Sequence, residues 1–254
     1  MVTTFGKYIN DLREISKISE KRVSEEGFKK LHEKSKKLLG EYQSWMNTYK
    51  EIFNNQIKIL RSFFDIISRA EAFFIKEGYN FEPKNFESIK EEFYMLRTIT
   101  ERWTKALMRL TSHTFGLSQE ALEIQNKINN SYNSLIGKFF AKEGEVALAG
   151  TPFHTDIVNL KKYTSSLSID IQHYLSINKK CFEDIDKHLK GLETLVKSNR
   201  EMLNKEHKLT EENELIFKQL EVFVANIRKE KEYIKNLISW AIRVFAGYKN
   251  VKKI

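Results

Sequence analysis

An alternating four-and-three spacing laid along the chain lands on apolar side chains with few misses. From Leu31 the series runs Leu31, Ser35, Leu38, Tyr42, Trp45, Tyr49, Ile52, Gln56, Ile59, Phe63, Ile66, Ala70, Phe73, and only Ser35 and Gln56 are polar. This seam predicts a helix over residues 25–77. Gly78 suits its left-handed closing position, and Pro83 cannot continue it. A second seam, from Phe86 through Trp103, Leu110, Leu117 and Ile128 to Leu135, passes Gly116 without a change of phase and predicts a helix over 85–146. The stretch Gly144–Gly150 before Thr151-Pro152 is the second turn, after which Thr155 or Asp156 can cap the next helix. The third seam holds phase from Ile157 to Tyr248 and predicts a helix over 155–250. Polar residues crowd it between Asn199 and Asn213, where Thr210 could cap a fresh helix, and a kink there is favoured over a full turn.

The expected architecture is therefore all-α, with three long kinked antiparallel helices in an elongated coiled-coil bundle over residues 23–254, preceded by an amphipathic segment, 1–22. Helices of about 50, 60 and 95 residues do not match in length, so part of the last one needs a cover. A second copy of the chain is the simplest cover and would give a dimer with a six-helix centre. The expected dimer contacts are Phe63, Phe64, Phe73 and Phe74 on the first helix, and Phe223, Leu237, Trp240 and Val244 on the last. The alternative is a monomeric bundle whose last helix folds back at Lys208.

Composition narrows the class. Ten glycines and two prolines in 254 residues are too few for a fold built on many tight turns. Cys181, the sole cysteine, excludes an internal disulfide and points to a reducing compartment. No apolar run approaches a membrane span, and Lys7, Asp11 and Arg13 break up any signal peptide, so a cytoplasmic protein is expected. A net charge of +9 calls for an anionic partner.

The last helix carries Arg228-Lys229-Glu230-Lys231-Glu232-Tyr233, then Leu237-Ile238-Ser239-Trp240-Ala241 and Phe245-Ala246-Gly247-Tyr248-Lys249. With the three-helix pattern and the basic charge, this closing segment resembles the BAR-domain superfamily, and within it the arfaptin-like and sorting-nexin-like branches. The resemblance implies a crescent-shaped homodimer that binds and bends anionic membranes in trafficking or endocytosis, with a small GTPase as a further partner. It also implies a peripheral position on membranes.

Signatures of catalysis are missing. None of the six histidines follows a glutamate by three residues, and no His-Glu-x-x-His, phosphate-cradling glycine loop or Gly-x-Ser-x-Gly elbow occurs. Asp170 with His173 and Asp184 with His188 are one helical turn apart, a spacing that more often supports a helix than holds a metal. Cys181 and His188 fall on the seam and read as core residues. No enzyme, cofactor or metal is expected, and there is no motif for specific nucleic-acid binding.

Basic residues supply the expected lipid contacts. Lys138 and Lys142 before the second turn, with Lys161 and Lys162 after it, would meet at one end of the hairpin. Arg102, Lys105 and Arg109, with Arg97 beside them, form a second group; Lys179, Lys180, Lys187, Lys190 and Lys197 form a third. Val2, Phe5, Ile9 and Leu12 line one face of the N-terminal segment, which could insert into lipid or pack on the protein's own bundle. The expected function is a membrane-binding scaffold acting on curvature. The rival is a helical adaptor that binds partner helices or small GTPases without remodelling membranes.

Overall fold

A computed structural model of the protein describes residues 5–78, 81–140 and 144–245, apart from the side chain of Phe139. Its described residues are almost wholly helical: α1 (Phe5–Ser19), α2 (Glu25–Glu77), α3 (Pro83–Leu135), α4 (Pro152–Lys205) and α5 (Glu211–Val244). A π-helical turn, Ile136–Phe140, extends α3, and the strands β1 (Arg22–Ser24) and β2 (Glu145–Ala147) form an antiparallel pair. The all-α expectation holds.

Helix boundaries follow local chemistry. Ser24 begins α2, its hydroxyl accepting from the Gly27 amide at 3.2 Å. Pro83 and Pro152 open α3 and α4 at first-turn positions, where a missing amide costs nothing. The cap of α4 is Thr151, whose hydroxyl receives the His154 amide at 3.4 Å, and not Thr155 or Asp156 as expected. Left-handed glycines occur at Gly144 and Gly150, not at Gly78. A Cβ on Gly78 would lie 3.1 Å from both Phe74 and Phe86, so close packing of two rings explains the glycine there. Helix 85–146 ends earlier than expected because Glu145–Ala147 pairs with Arg22–Ser24, which buries Val23 opposite Val146.

The larger correction concerns the third helix. Residues 155–250 do not form one kinked helix; a turn between Lys205 and Glu211 divides it into α4 and α5. His207 is left-handed, with φ of 53°. The Lys208 amide reaches the Leu203 carbonyl at 2.9 Å and the His207 amide reaches that of Asn204 at 3.2 Å, a Schellman closure. Thr210 then caps α5, accepting from the Asn213 amide at 3.1 Å. Beyond the turn α5 runs antiparallel to α4: Arg200 pairs with Glu221 at 2.6 Å, Arg228 with Glu193 at 2.7 Å, and Lys231 with Asp186.

The chain divides into two compact units. The first takes the described residues up to Ile52, Leu110–His173 and those from Ser239 onward. Here α1 is packed on α2: Phe5 stacks on Trp45 with centroids 4.4 Å apart, and Tyr8 lies 5.4 Å from Tyr42. Phe245 meets Tyr49 edge-on at 5.1 Å. Phe5 and Leu12, expected to enter lipid, are thus buried in the protein's own core, and Ile9 is half-buried; Val2 lies outside the described residues.

The second unit takes Phe53–Arg109 and Tyr174–Ile238. Its core joins Phe63, Ile67 and Phe74 of α2, Phe93 and Leu96 of α3, Ile185 and Leu192 of α4, and Phe217, Leu220 and Ile227 of α5. The cover expected from a second copy is provided by α5 itself. Phe63, Phe74, Phe223 and Val244, expected at a dimer interface, are buried within the single chain, while Phe64, Phe73, Leu237 and Trp240 are half-buried.

Candidate anion-binding surface

In the second unit the seam's polar interruptions find one another. Asn178 Oδ1 accepts from Trp103 Nε1 at 3.1 Å and from Gln56 Nε2, while Asn178 Nδ2 donates to the Tyr174 carbonyl at 2.7 Å. Tyr174 closes the set by donating to Gln56 Oε1 at 2.7 Å. All four residues are buried, and burial holds the Tyr174 phenol far above its ordinary pKa. A buried amide at a seam position fixes the register of neighbouring helices, because any slip strands its polar atoms.

That register positions the surface charges. The Trp103–Asn178 bond sets Arg102 of α3 level with Lys179 and Lys180 of α4, and all three are exposed. On α3, Arg102, Lys105 and Arg109 follow at three- and four-residue steps along one exposed face. On α4, Lys180, Lys187 and Lys190 are likewise exposed. Two acidic neighbours are already engaged: Lys105 pairs with Glu101, whose carboxyl is held below its usual range by that contact, and Lys179 lies 3.9 Å from Glu183. Among the described residues, Arg102, Arg109, Lys180, Lys187 and Lys190 enter no ion pair. Two of the sequence-derived basic groups therefore share one part of one unit.

Among the described members of the expected basic tip, Lys161 and Lys162 do not stand beside Lys138. Lys161 and Lys162 are exposed on α4, but their neighbour Tyr163 hydrogen-bonds Glu120. They are thus level with Glu120 on α3, 18 residues before Lys138 (138 − 120) and about 27 Å from it at ~1.5 Å per residue. Lys142 lies outside the described residues. Starting α4 at Pro152 places Lys161 more than two turns into the helix, which the sequence reading did not allow for.

The histidines have partners other than those the sequence offered. Asp170 is buried and takes His113 Nδ1 at 2.9 Å and the Thr114 hydroxyl at 2.7 Å, not His173. His188 meets Glu92 at 2.7 Å, not Asp184. Among the described residues no group of three metal-ligating side chains occurs. Burial, with Asp184 beside it, pushes the Cys181 thiol up to about 12, which leaves it a poor nucleophile.

An apolar stripe on α5 escaped the sequence reading. Leu215, Val222 and Tyr233 are 56%, 53% and 50% exposed. Their spacings of 7 and 11 residues return to one side of a helix, a signal hidden while the whole segment was assigned to a covered seam. No described helix is long and apolar enough to cross a membrane. No protein-family model, no curated protein and no solved structure matches this chain, so the likeness to BAR domains stands on the residues quoted for it alone.

Proposed function

We propose that the protein is a non-catalytic helical binding module that attaches peripherally to anionic membrane surfaces through the basic face of α3 and α4 in the second unit. The observation that carries this reading is the set of five exposed cations that enter no ion pair among the described residues, Arg102, Arg109, Lys180, Lys187 and Lys190, on two helices held in register by a buried network. Each basic side chain near an anionic bilayer contributes about 1 kcal/mol, and salt screens it. The insertion of α1 and the crescent dimer form no part of this proposal, since Phe5, Leu12, Phe63 and Phe74 are already buried within the chain.

Co-sedimentation with liposomes tests it. The protein should pellet with phosphatidylserine vesicles and not with phosphatidylcholine vesicles at low salt. R102A/R109A/K180A should weaken binding about 100-fold, taking ~1 kcal/mol per charge, whereas K161A/K162A should change it far less. Equal recovery on both lipids would end the membrane reading. A helical adaptor is the second reading, supported by the exposed Leu215, Val222 and Tyr233 on one side of α5. It predicts a stable complex with a partner helix that V222D abolishes, with no loss of liposome binding.

A further inference from the structure

The turn between α4 and α5 interrupts a repeat that the sequence does not interrupt. Buried positions of α4 recur by sevens as Ile185, Leu192 and Asn199; continued by sevens, the count passes Glu206 and reaches Asn213, Leu220, Ile227, Ile234 and Ala241, all buried on α5. A second set is similar but less regular: Phe182, Leu189 and Val196, continued by sevens, pass the half-buried Leu203 and the exposed Thr210 to Phe217 and Val224, then the half-buried Lys231, and reach Ile238 and Phe245. Were residues 206–210 helical, the buried face of α4 would run straight into that of α5. A turn inserted at random between two helices would preserve this phase only by chance.

The residues holding the turn are few. His207 sits at φ 53°, a left-handed conformation unfavourable for a residue with a Cβ, and a continuous helix would relieve it. Glu206, His207, Lys208 and Thr210 are exposed, and within the hinge only Leu209 packs against the core, so straightening the segment itself uncovers one apolar side chain. The bonds that fasten α5 to α4 are interhelical: Arg200 to Glu214 at 3.1 Å and to Glu221 at 2.6 Å, Arg228 to Glu193 at 2.7 Å, and Lys231 to Asp186. An α5 supplied by another molecule, running in the same antiparallel sense, makes every one of these bonds again.

We propose that α5 is an exchangeable element: the hinge at 206–210 straightens, and two copies of this chain swap α5 to form a dimer. The partner is a second copy because the vacated surface, with Phe63, Ile67, Leu192 and Val196, fits α5, and each open molecule offers one α5 and one place for it. The closed monomer dominates dilute solution, and the dimer forms at high concentration under conditions that loosen the hinge.

The test uses the full chain with C181A/E193C/R228C, which puts one thiol on each side of the Glu193–Arg228 pair, and a short bis-maleimide. The protein is concentrated in mild denaturant and refolded, its fractions are separated by mass, and each is cross-linked and run on a reducing gel. A dimer-mass fraction whose cross-links join two chains is expected. H207A/T210A, which favours a continuous helix, should raise that fraction several-fold, and H207G, which relaxes the turn, should lower it. Cross-links confined to single chains in every fraction, or an equal dimer fraction for all three hinges, would overturn the proposal. H207G suits the observed turn, so the comparison survives a failure of H207A/T210A to fold.

Discussion

Glycine in a helix interior gives up about 1 kcal/mol relative to alanine, and this chain contains such glycines with opposite surroundings. Gly116, in the middle of α3, has nothing within 4 Å of where a Cβ would stand. G116A should therefore stabilise the protein by up to about 1 kcal/mol, read from the urea midpoint. Gly191 faces Glu92, whose carboxyl carbon would lie 2.8 Å from the new Cβ while the same carboxylate is held by His188. G191A should give no gain in the native background and recover about 1 kcal/mol in an E92A background, a coupling that a double-mutant cycle reads directly. His32 offers a pH test. Burial depresses its pKa below the ordinary 6.5, against the opposing hydrogen bond to Asn129. The unfolded chain then binds the proton more readily, so this residue's contribution is complete above about pH 6.5 and is lost as pH falls from there towards the folded value. H32Q should flatten that part of the acid decline, measured as urea stability at about pH 7.5 and 5.5; an unchanged slope would remove His32 from the account.

At the scale of elements, helix faces were legible from spacing, as were both ends of α2 and the start of α3, whereas the end of α3, the cap of α4 and the division of the last helix were not. The segment 25–77 is α2 as read, because its apolar seam and the break before Pro83 are both written in the sequence; the Ser24 cap and the ring packing that demands a glycine at 78 are seen only in the structure. What spacing could not reveal is direction. A heptad repeat says which face is buried and not what buries it, so a turn at Lys208 and a straight helix give the same periodicity through Asn213. The polar run from Asn199 to Asn213 and the Thr210 cap were visible; the left-handed His207 was not, since histidine is no turn signal. The strands β1 and β2 were missed for a related reason, being three residues each and too short to show alternation. The turn's chemistry gives its own prediction. T210A removes the bond to the Asn213 amide and should destabilise by about 1 kcal/mol, whereas H207G removes the left-handed penalty and should stabilise by a similar amount. Opposite shifts in thermal midpoint are the expected readout; shifts of the same sign would mean that the turn is not held as described.

For the molecule as a whole, the question raised by three helices of unequal length is what covers the surplus. The fold answers with its own ends: α1 packs on the first part of α2 in one unit, and α5 returns along α4 in the other. The candidate surface was partly legible for the same reason. Arg97, Arg102, Lys105 and Arg109 were legible as one basic group, but that Arg102, Lys105 and Arg109 share an exposed face, with Arg97 half-buried against Glu71, is seen only in the structure. Their alignment with Lys179 and Lys180 depends on the Trp103–Asn178 register, which no spacing within one helix encodes. With Phe63, Phe74, Phe223 and Val244 buried inside one chain, the apolar excess that called for a permanent partner is spent within the monomer. Light scattering at micromolar concentration and physiological salt should therefore return the single-chain mass, 30.0 kDa. A mass near twice that value at every dilution would mean that a surface other than the covered seam holds two copies together. Leu215, Val222 and Tyr233, the exposed stripe of α5, would be the first positions to replace, and V222D should then restore the monomer.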